Sequence, residues 1–407
     1  MTNLLSFRAL PLYAAFFLWS VGTGAVNLAR PLFAASFGVS VFLVTVVVAS
    51  NSVAHLVSGP ITGLAMDRWG RKPLLILGLA LRAGSGFAQF FAQSYVDFLL
   101  LEFIGGFGVA MWGTGSAVLV ADLSVGANRG RAVASRSAAN RLGMIVGPFI
   151  GGAIAASFDL RAIFLFNGLT KLAVLLIVVF LVRETSPDAE VGGRRRPLFD
   201  ASLLSQFATR AFIVIALVSL TVSMMTQGVF QTLFPLFLHD SGGLTTQQIG
   251  MLMTIAGISI LVTSLPNGYL VDRFGRKATL VPGLFVLAAA AMLLPRADAF
   301  SAAAFIVVVY GVGTGMCQGA AQVYVMDLAP RDRRGAFLGM WALLDSSGGA
   351  LAPLAVGSAA TSFGFGPAFL AVGTVLAAMG LVMWLYGPDT FRARDLAAQR
   401  TEPTMAP

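Results

Sequence analysis

Seven ionisable side chains, Arg30, His55, Arg82, Glu102, Arg141, Lys171 and Asp345, stand inside long apolar stretches, and six of them belong to the first half of the sequence. A charge in hydrocarbon is costly, so such residues face a partner or a water-filled cavity and mark routes for protons or solutes. Glu102 has the chemistry of a proton carrier. Burial favours the neutral acid and a neighbouring arginine favours the carboxylate, so an arginine that moves would switch it. A permanent ion pair that never titrates is the alternative. His55 also titrates near neutrality, although a hydrogen-bonded packing histidine is the preferred reading.

Other chemistry finds no residues to carry it. The two histidines give no metal-ligand spacing, and the lone Cys317 lies in an apolar run where it forms no internal disulfide. There is no nucleophile constellation, cofactor motif or Gly-x-x-x-x-Gly-Lys-Ser/Thr phosphate loop, so neither a cofactor nor direct use of ATP is expected. A membrane-bound receptor or enzyme remains only as a remote alternative.

The elements that hold these residues follow from composition. The chain is 57% hydrophobic and 11% charged, with a mean hydropathy of +0.83, whereas a soluble domain carries about 25% charged residues. Bilayer is the solvent that suits it. A spanning helix takes roughly 20 mostly apolar residues. Such runs fall near 10–35, 41–66, 73–93, 97–121, 131–156 and 161–183, then near 208–237, 245–270, 277–296, 299–327, 335–360 and 367–387. The first run follows Arg8 directly and is too long for the core of a cleavable signal, so it is expected to remain as a span.

The net charge of +9 lies mostly in connections on one side, at Arg68, Arg71, Lys72, Arg129, Arg131, the Arg194-Arg195-Arg196 triplet, Arg273, Arg276, Lys277, Arg331, Arg333 and Arg334. That is an orientation signal rather than a nucleic-acid footprint, and it puts both termini and the central linker in the cytoplasm. The expected division is a six-helix bundle over 8–183, a cytoplasmic linker over 184–206, a second six-helix bundle over 207–388 and a cytoplasmic tail over 389–407.

The two bundles are copies of one another. Gly63-Leu64-Ala65-Met66-Asp67-Arg68-Trp69-Gly70-Arg71-Lys72 returns 205 positions later as Gly268-Tyr269-Leu270-Val271-Asp272-Arg273-Phe274-Gly275-Arg276-Lys277. At the same offset Asp122 matches Asp327, Gly143, Pro148 and Gly152 match Gly348, Pro353 and Gly357, and Asn140 matches Asp345. Gly24, Asn27 and Pro31 match Gly228, Gln231 and Pro235 at an offset of 204. Duplicated bundles of this kind rock against each other around a site at their interface. Gly143, Gly147, Gly151 and Gly152 let neighbouring backbones approach closely. With Pro148, which removes one helix hydrogen bond, they form a mechanical hinge, expected to pack on the eighth span.

These motifs resemble the major facilitator superfamily. The charged loop motif, a Gly four positions before Asp-Arg-x-Gly-Arg-Lys, is present twice, and Gly143-Met144-Ile145-Val146-Gly147-Pro148-Phe149-Ile150-Gly151-Gly152 is similar to the fifth-helix motif of its proton-driven drug and metabolite exporters. Where those exporters carry an arginine early in the fourth helix, this chain has Glu102. The resemblance implies an all-α integral membrane fold of 12 transmembrane helices in two pseudo-symmetric six-helix bundles. It further implies a charge network that latches the outward-open state, formed by Gly63, Asp67, Arg68, Arg71, Asp122 and Arg131 and repeated by Asp272, Arg276 and Asp327. Helices 1 and 4 are neighbours in that fold, which pairs Arg30 with Glu102. Helices 3 and 6 are peripheral, which gives Arg82 and Lys171 snorkelling or helix-pairing roles.

A solute cavity in such a fold is expected to draw on Asn27 and Trp19 from helix 1, Met111 and Trp112 from helix 4, and Arg141 from helix 5. Helix 7 adds Gln227, Phe230, Gln231 and Phe234, helix 10 adds Tyr310, Gln318 and Gln322, and helix 11 adds Asp345. Gln227, Gln231 and Phe234 share one face at α-helical spacing. Arg141 and Asp345 could bind a solute or each other. Apolar walls with a few placed polar groups suit an amphipathic organic solute. The expected function is proton-coupled export of such a solute by a monomer whose partners are the solute, protons and lipid. The alternative is proton-coupled uptake of an organic anion, suggested by the excess of buried arginine over acid.

Overall fold

The protein is described here by a computed structural model covering residues 10–123, 129–182, 209–330 and 334–388, with no strand among them. The expected linker and tail lie outside the described residues. The first six helices are α1 (Leu10–Ala35), α2 (Val41–Trp69), α3 (Arg71–Phe90), α4 (Tyr95–Leu123), α5 (Arg129–Ser157) and α6 (Leu160–Leu181). The second six are α7 (Arg210–Asp240), α8 (Thr246–Phe274), α9 (Arg276–Leu293), α10 (Phe300–Leu328), α11 (Arg334–Phe363) and α12 (Phe365–Tyr386). Eleven of these are long and apolar enough to cross a membrane. The twelfth, α11, is long enough at 30 residues, but Asp345-Ser346-Ser347-Gly348-Gly349 dilutes its apolar character.

The repeated charged turn is built the same way in both halves. α2 ends at Trp69 and α3 starts at Arg71, with Gly70 alone between them at φ 88°; α8 and α9 are separated by Gly275 at φ 90°. Each glycine donates its N–H to the helix it ends, Gly70 to Met66 O and Gly275 to Val271 O. Only glycine occupies that backbone region without strain, which is why the motif keeps it. The lysine that closes each motif then reaches the sixth helix of its own bundle. Lys72 Nζ donates to Val179 O at 2.8 Å and Lys277 Nζ to Gly387 O at 3.0 Å, each satisfying a carbonyl at a helix C-terminus.

Equivalent packing continues through the bundles. A Cβ built on Gly78 would fall 2.5 Å from Met111 Cβ, and one on Gly283 would fall 3.0 Å from Met316 Cβ, so α3 meets α4 as α9 meets α10. The glycines of α5 form a ladder on α1. A Cβ on Gly143 would fall 2.5 Å from the Phe17 carbonyl oxygen, one on Gly147 2.5 Å from the Val21 carbonyl oxygen, and one on Gly151 3.0 Å from Ala25 Cα. Of the four only Gly152 meets the eighth span, where an added Cβ would fall 3.0 Å from Gln247 Cα. The expectation that all four pack on that span is corrected. Residues 143, 147 and 151 recur at four-residue spacing and stack on Phe17, Val21 and Ala25, which share the same spacing.

Between the bundles, α5 lies on α8 and α2 on α11. The tight contacts are at the end away from the charged turns. Thr361 Oγ1 accepts the Phe42 N–H at 2.9 Å, Gly357 abuts Thr45, and Gly250 abuts the Pro148 carbonyl. At the basic end a Cβ on Gly63, Gly130, Gly268 or Gly339 would meet open space. The bundles are thus closed on one face and parted on the other.

Candidate functional site

Two adjoining chambers occupy the parting. One, of about 380 Å³, has Asn27 of α1, Arg141 of α5, Phe230 and Gln231 of α7, and Tyr310 and Gln318 of α10 on its walls, together with Thr226 and Met144. The second, of about 560 Å³, lies towards the basic face and is lined by Arg141, Thr226, Gln227, Gln318, Gln322 and Asp345, among apolar neighbours such as Val325, Leu338 and Trp341. Arg141, Thr226 and Gln318 belong to both. Tyr310 stacks on Phe230 with centroids 4.1 Å apart, and Phe230 stacks on Phe234 at 5.2 Å, forming an aromatic wall.

The predicted cavity residues Asn27, Arg141, Gln227, Phe230, Gln231, Tyr310, Gln318, Gln322 and Asp345 therefore meet around one space. Four others do not. Trp19 and Trp112 stack on each other inside the first bundle, with centroids 5.0 Å apart, and both are buried. Met111 packs against Gly78 of α3. Phe234 is fully buried behind Phe230. Its displacement has a specific cause: Met224–Leu233 is a π-helix, in which Thr232 Oγ1 accompanies the i→i+5 pattern by donating to Gln227 O at 2.7 Å. A π-helix turns less per residue than the about 100° of an α-helix, so seven residues no longer return Phe234 to the face of Gln227. Helices that open into π geometry do so disproportionately at functional sites. Nothing in the residue pattern announces it.

Arg30 does meet Glu102, with Nε donating to Oε1 at 3.0 Å. The pair belongs to a larger buried cluster. Asn51 Nδ2 donates to Glu102 Oε2 at 3.1 Å, and Arg82 Nη1 stands 3.7 Å from the same oxygen. Glu102 is wholly buried and Arg82 nearly so. Arg30 also reaches Asn27 Oδ1 at 3.5 Å, and Asn27 is on the cavity wall. A continuous polar path thus joins the cavity to the buried acid through one arginine. Asn51 and Arg82 are not among the partners expected from the sequence. The signal that points to them is the acid itself, since a carboxylate presents about four acceptor sites and one arginine does not fill them.

Neither Arg82 nor Lys171 snorkels, and both pair helices. Lys171 is fully buried, donates to Trp19 O and, at 3.0 Å, to Thr23 Oγ1, and lies 4.2 Å from the Trp19 ring centroid. His55 is half-buried on α2, turned towards Gly113 of α4, and lines neither chamber. Arg136, which no sequence motif singles out, ties α5 to α4 by donating to Ser116 Oγ at 3.0 Å and lies 5.4 Å from the Phe16 ring centroid.

At the basic face, Arg276 Nε and Asp327 Oδ2 form an ion pair at 2.8 Å within the second bundle. Arg68 and Arg131 are exposed, as is Asp272, and Gly63 faces open space. The side chains of Asp67 and Asp122 lie outside the described residues.

The comparisons with known proteins agree with this architecture. The model of the Major Facilitator Superfamily matches residues 12–246 and 216–406. Quinolone resistance protein NorA of Staphylococcus aureus (strain MSSA476) is 24% identical over 376 residues, which covers 91% of this chain and 95% of that protein. Multidrug resistance protein 2 of Bacillus subtilis (strain 168) is 26% identical over 264 residues, 64% of this chain and 66% of that one. Among solved structures, the nucleoside transporter NupG has a TM-score of 0.78 at 13% identity, covering 94% of this chain and 99% of that one. The D-xylose-proton symporter has a TM-score of 0.72 at 18% identity, covering 94% and 98%. At such identities the structural likeness shows the fold alone. With twelve helices in two bundles among the described residues, a cavity between them and a family match across nearly its whole length, the chain is a multi-pass membrane transporter of the major facilitator superfamily, resembling its drug and metabolite exporter branch.

Proposed function

We propose that this transporter exports an amphipathic organic solute across the plasma membrane in exchange for protons, with the basic face and both termini in the cytoplasm. The observation that carries the proton-coupled reading is the path from Asn27 on the cavity wall through Arg30 to the buried Glu102. A solute that engages Asn27 frees Arg30 to turn fully to Glu102, and the added positive charge expels the acid's proton. When the solute leaves, Arg30 swings back towards Asn27, and the acid, left in a dry environment with less positive charge beside it, takes up a proton. Binding and protonation then compete through one arginine, which is the arrangement that exchange requires. Export is favoured by the likeness to a quinolone resistance protein and a multidrug resistance protein over much of the chain.

With the basic face cytoplasmic, the parted bundles represent an inward-open state. Closing that face brings Gly63, Arg68, Arg71 and Arg131 and their counterparts Asp272, Arg276 and Asp327 against the opposite bundle, with Asp67 and Asp122, as the latch of the outward-open state. The glycine ladder with Pro148 serves as the hinge. Uptake of an organic anion has less to recommend it, because Arg30 and Arg82 turn to Glu102 and neither lines a chamber, leaving Arg141 as the one basic residue on the chamber walls among the described residues. The test is solute flux in proteoliposomes with an imposed pH gradient. Wild type moves solute uphill; Glu102→Gln carries it only downhill. Equal gradient-driven flux in both removes Glu102 from the coupling.

A further inference from the structure

We infer that the chamber towards the basic face has a second entrance, a window inside the second bundle between α7 and α11. Through it apolar solute passes in from the cytoplasmic leaflet without using the aqueous mouth between the bundles. This rests on the transporter reading and adds a route and the residues that guard it. A groove of about 290 Å³ runs between these two helices. Its lips, Ile213, Leu217 and Leu220 on α7 and Leu344 and Leu351 on α11, are large apolar side chains exposed on the outside of the bundle. Ser219, Ser223, Trp341 and Asp345 line both this groove and the chamber of about 560 Å³. One layer of four side chains therefore separates hydrocarbon from the cavity, and Ser219 Oγ ties that layer together by donating to Asp345 Oδ1 at 2.8 Å.

The window has a frame at each end. Towards the basic face, Phe212 of α7 meets Phe337 and Trp341 of α11 edge-on, with centroids 5.6 and 5.9 Å apart. Deeper in the membrane, a Cβ on Gly348 would fall 3.1 Å from Ser223 Oγ, and one on Gly228 would fall 2.9 Å from Val356 Cγ2. From Phe212 to Ser223 the helix rises roughly 16 Å, and the groove occupies that interval. The fold does not demand the opening. In the first bundle the matching seam, α1 on α5, is shut by the ladder of Gly143, Gly147 and Gly151, whose counterparts on α11 are Gly348, Ala352 and Val356. Asp345 corresponds to Asn140, which accepts a hydrogen bond from Ser20 Oγ at 3.0 Å on that sealed seam. A resident lipid chain would need apolar walls alone, and a carboxylate facing hydrocarbon is costly. A passing amphipathic solute uses both parts: its apolar body slides along the leucine lips while its polar end crosses Ser219, Ser223 and Asp345 into the chamber.

A photoreactive reagent confined to lipid tests this on the full-length protein in phospholipid vesicles. Iodophenyl-trifluoromethyl-diazirine dissolves in the bilayer and inserts into the side chains it meets, and mass spectrometry reads the sites. Labelling is expected on the lips and also on Gln322 and Val325, which line the chamber but not the groove. Ala216 and Ser347 line the groove but not the chamber. Ala216→Trp and Ser347→Trp, filling the groove from one helix each, are expected to lower chamber labelling at least fivefold. Leu381→Trp, an exposed position on α12, leaves it unchanged. Ser219→Ala, which unties the wall, raises it at least twofold. The inference is overturned if labelling stops at the lips, as a resident lipid chain would cause. It is equally overturned if the tryptophan variants label the chamber as wild type does, because the reagent then enters between the bundles, or if Ser219→Ala changes nothing. Proteoliposome flux of two dansyl probes, dansyl-glycine and dansyl-cadaverine, separates the two readings. Window-dependent labelling without gradient-driven flux defeats the exporter reading alone, and gradient-driven flux with window-independent labelling defeats the window alone.

Discussion

The two bundles solve the same packing problem with opposite chemistry. Shifted by the repeat offset, Asn51 corresponds to Ala256, Arg82 to Leu287, Glu102 to Val307 and Lys171 to Leu376, and Arg30 of the first helix corresponds to Phe234. All five counterparts are buried to 1% exposure or less. Likewise the buried Gln89 and Asn167 of the first bundle correspond to Leu294 and Val372 in the second, also buried. The second bundle reaches the same helix arrangement and the same Gly–Met contacts between its third and fourth helices with an apolar core. The ionic cluster of the first bundle is therefore not what the fold needs. Buried ion pairs seldom stabilise a protein more than well-packed apolar residues of similar size, so their retention on one side points to work done by that side alone.

The sharpest way to break this comparison is to remove the acid by itself. Glu102→Val places the second bundle's residue in the first, leaving Arg30 and Arg82 buried without a counter-charge, and should cost about 3–5 kcal/mol in unfolding experiments in detergent. If stability is unchanged, the cluster is not held together by its charges. Packing comes next. Gly147→Ala sets a Cβ against the Val21 carbonyl where α1 and α5 touch, and a loss of roughly 1–3 kcal/mol is expected. A neutral result would mean that the ladder is looser than its distances. The two turns should then behave alike: Gly70→Ala and Gly275→Ala force an L-residue into the same backbone region, at about 1–3 kcal/mol each. Clearly unequal losses would show that the halves differ in the turn as well as in the core. The smallest effect belongs to Lys72→Met and Lys277→Met, which remove matching contacts to the sixth-helix termini, with about 0.3–1 kcal/mol expected from each.

The duplication is legible because the turn glycines hold a positive φ that favours glycine and the charges around them recur at the same spacing in both halves. Span limits followed from run length, and most fell within a few residues of the observed helix ends. Arg30 and Glu102 are paired by the adjacency of helices 1 and 4 that the family resemblance implies. Helical phase was the harder matter. α4 is apolar on all sides, so no stripe distinguishes the face of Met111 and Trp112 from a cavity face, and both turned inward to α3 and α1. On α7 the π-helical stretch broke the spacing that grouped Phe234 with the glutamines. For Lys171 helix pairing is legible but its acceptors are not, because the Trp19 carbonyl and Thr23 hydroxyl are local features of α1 that no charge pattern reveals.

A single combined variant puts the central claim at risk most directly. Arg30→Phe, Arg82→Leu, Glu102→Val and Lys171→Leu together give the first bundle the apolar core of the second. The measurement is pH-gradient-driven flux of whichever dansyl probe the wild type moves fastest, in proteoliposomes of this folded variant. The account predicts downhill movement of the probe with no response to the gradient. Uphill, gradient-driven movement at the wild-type rate would contradict it.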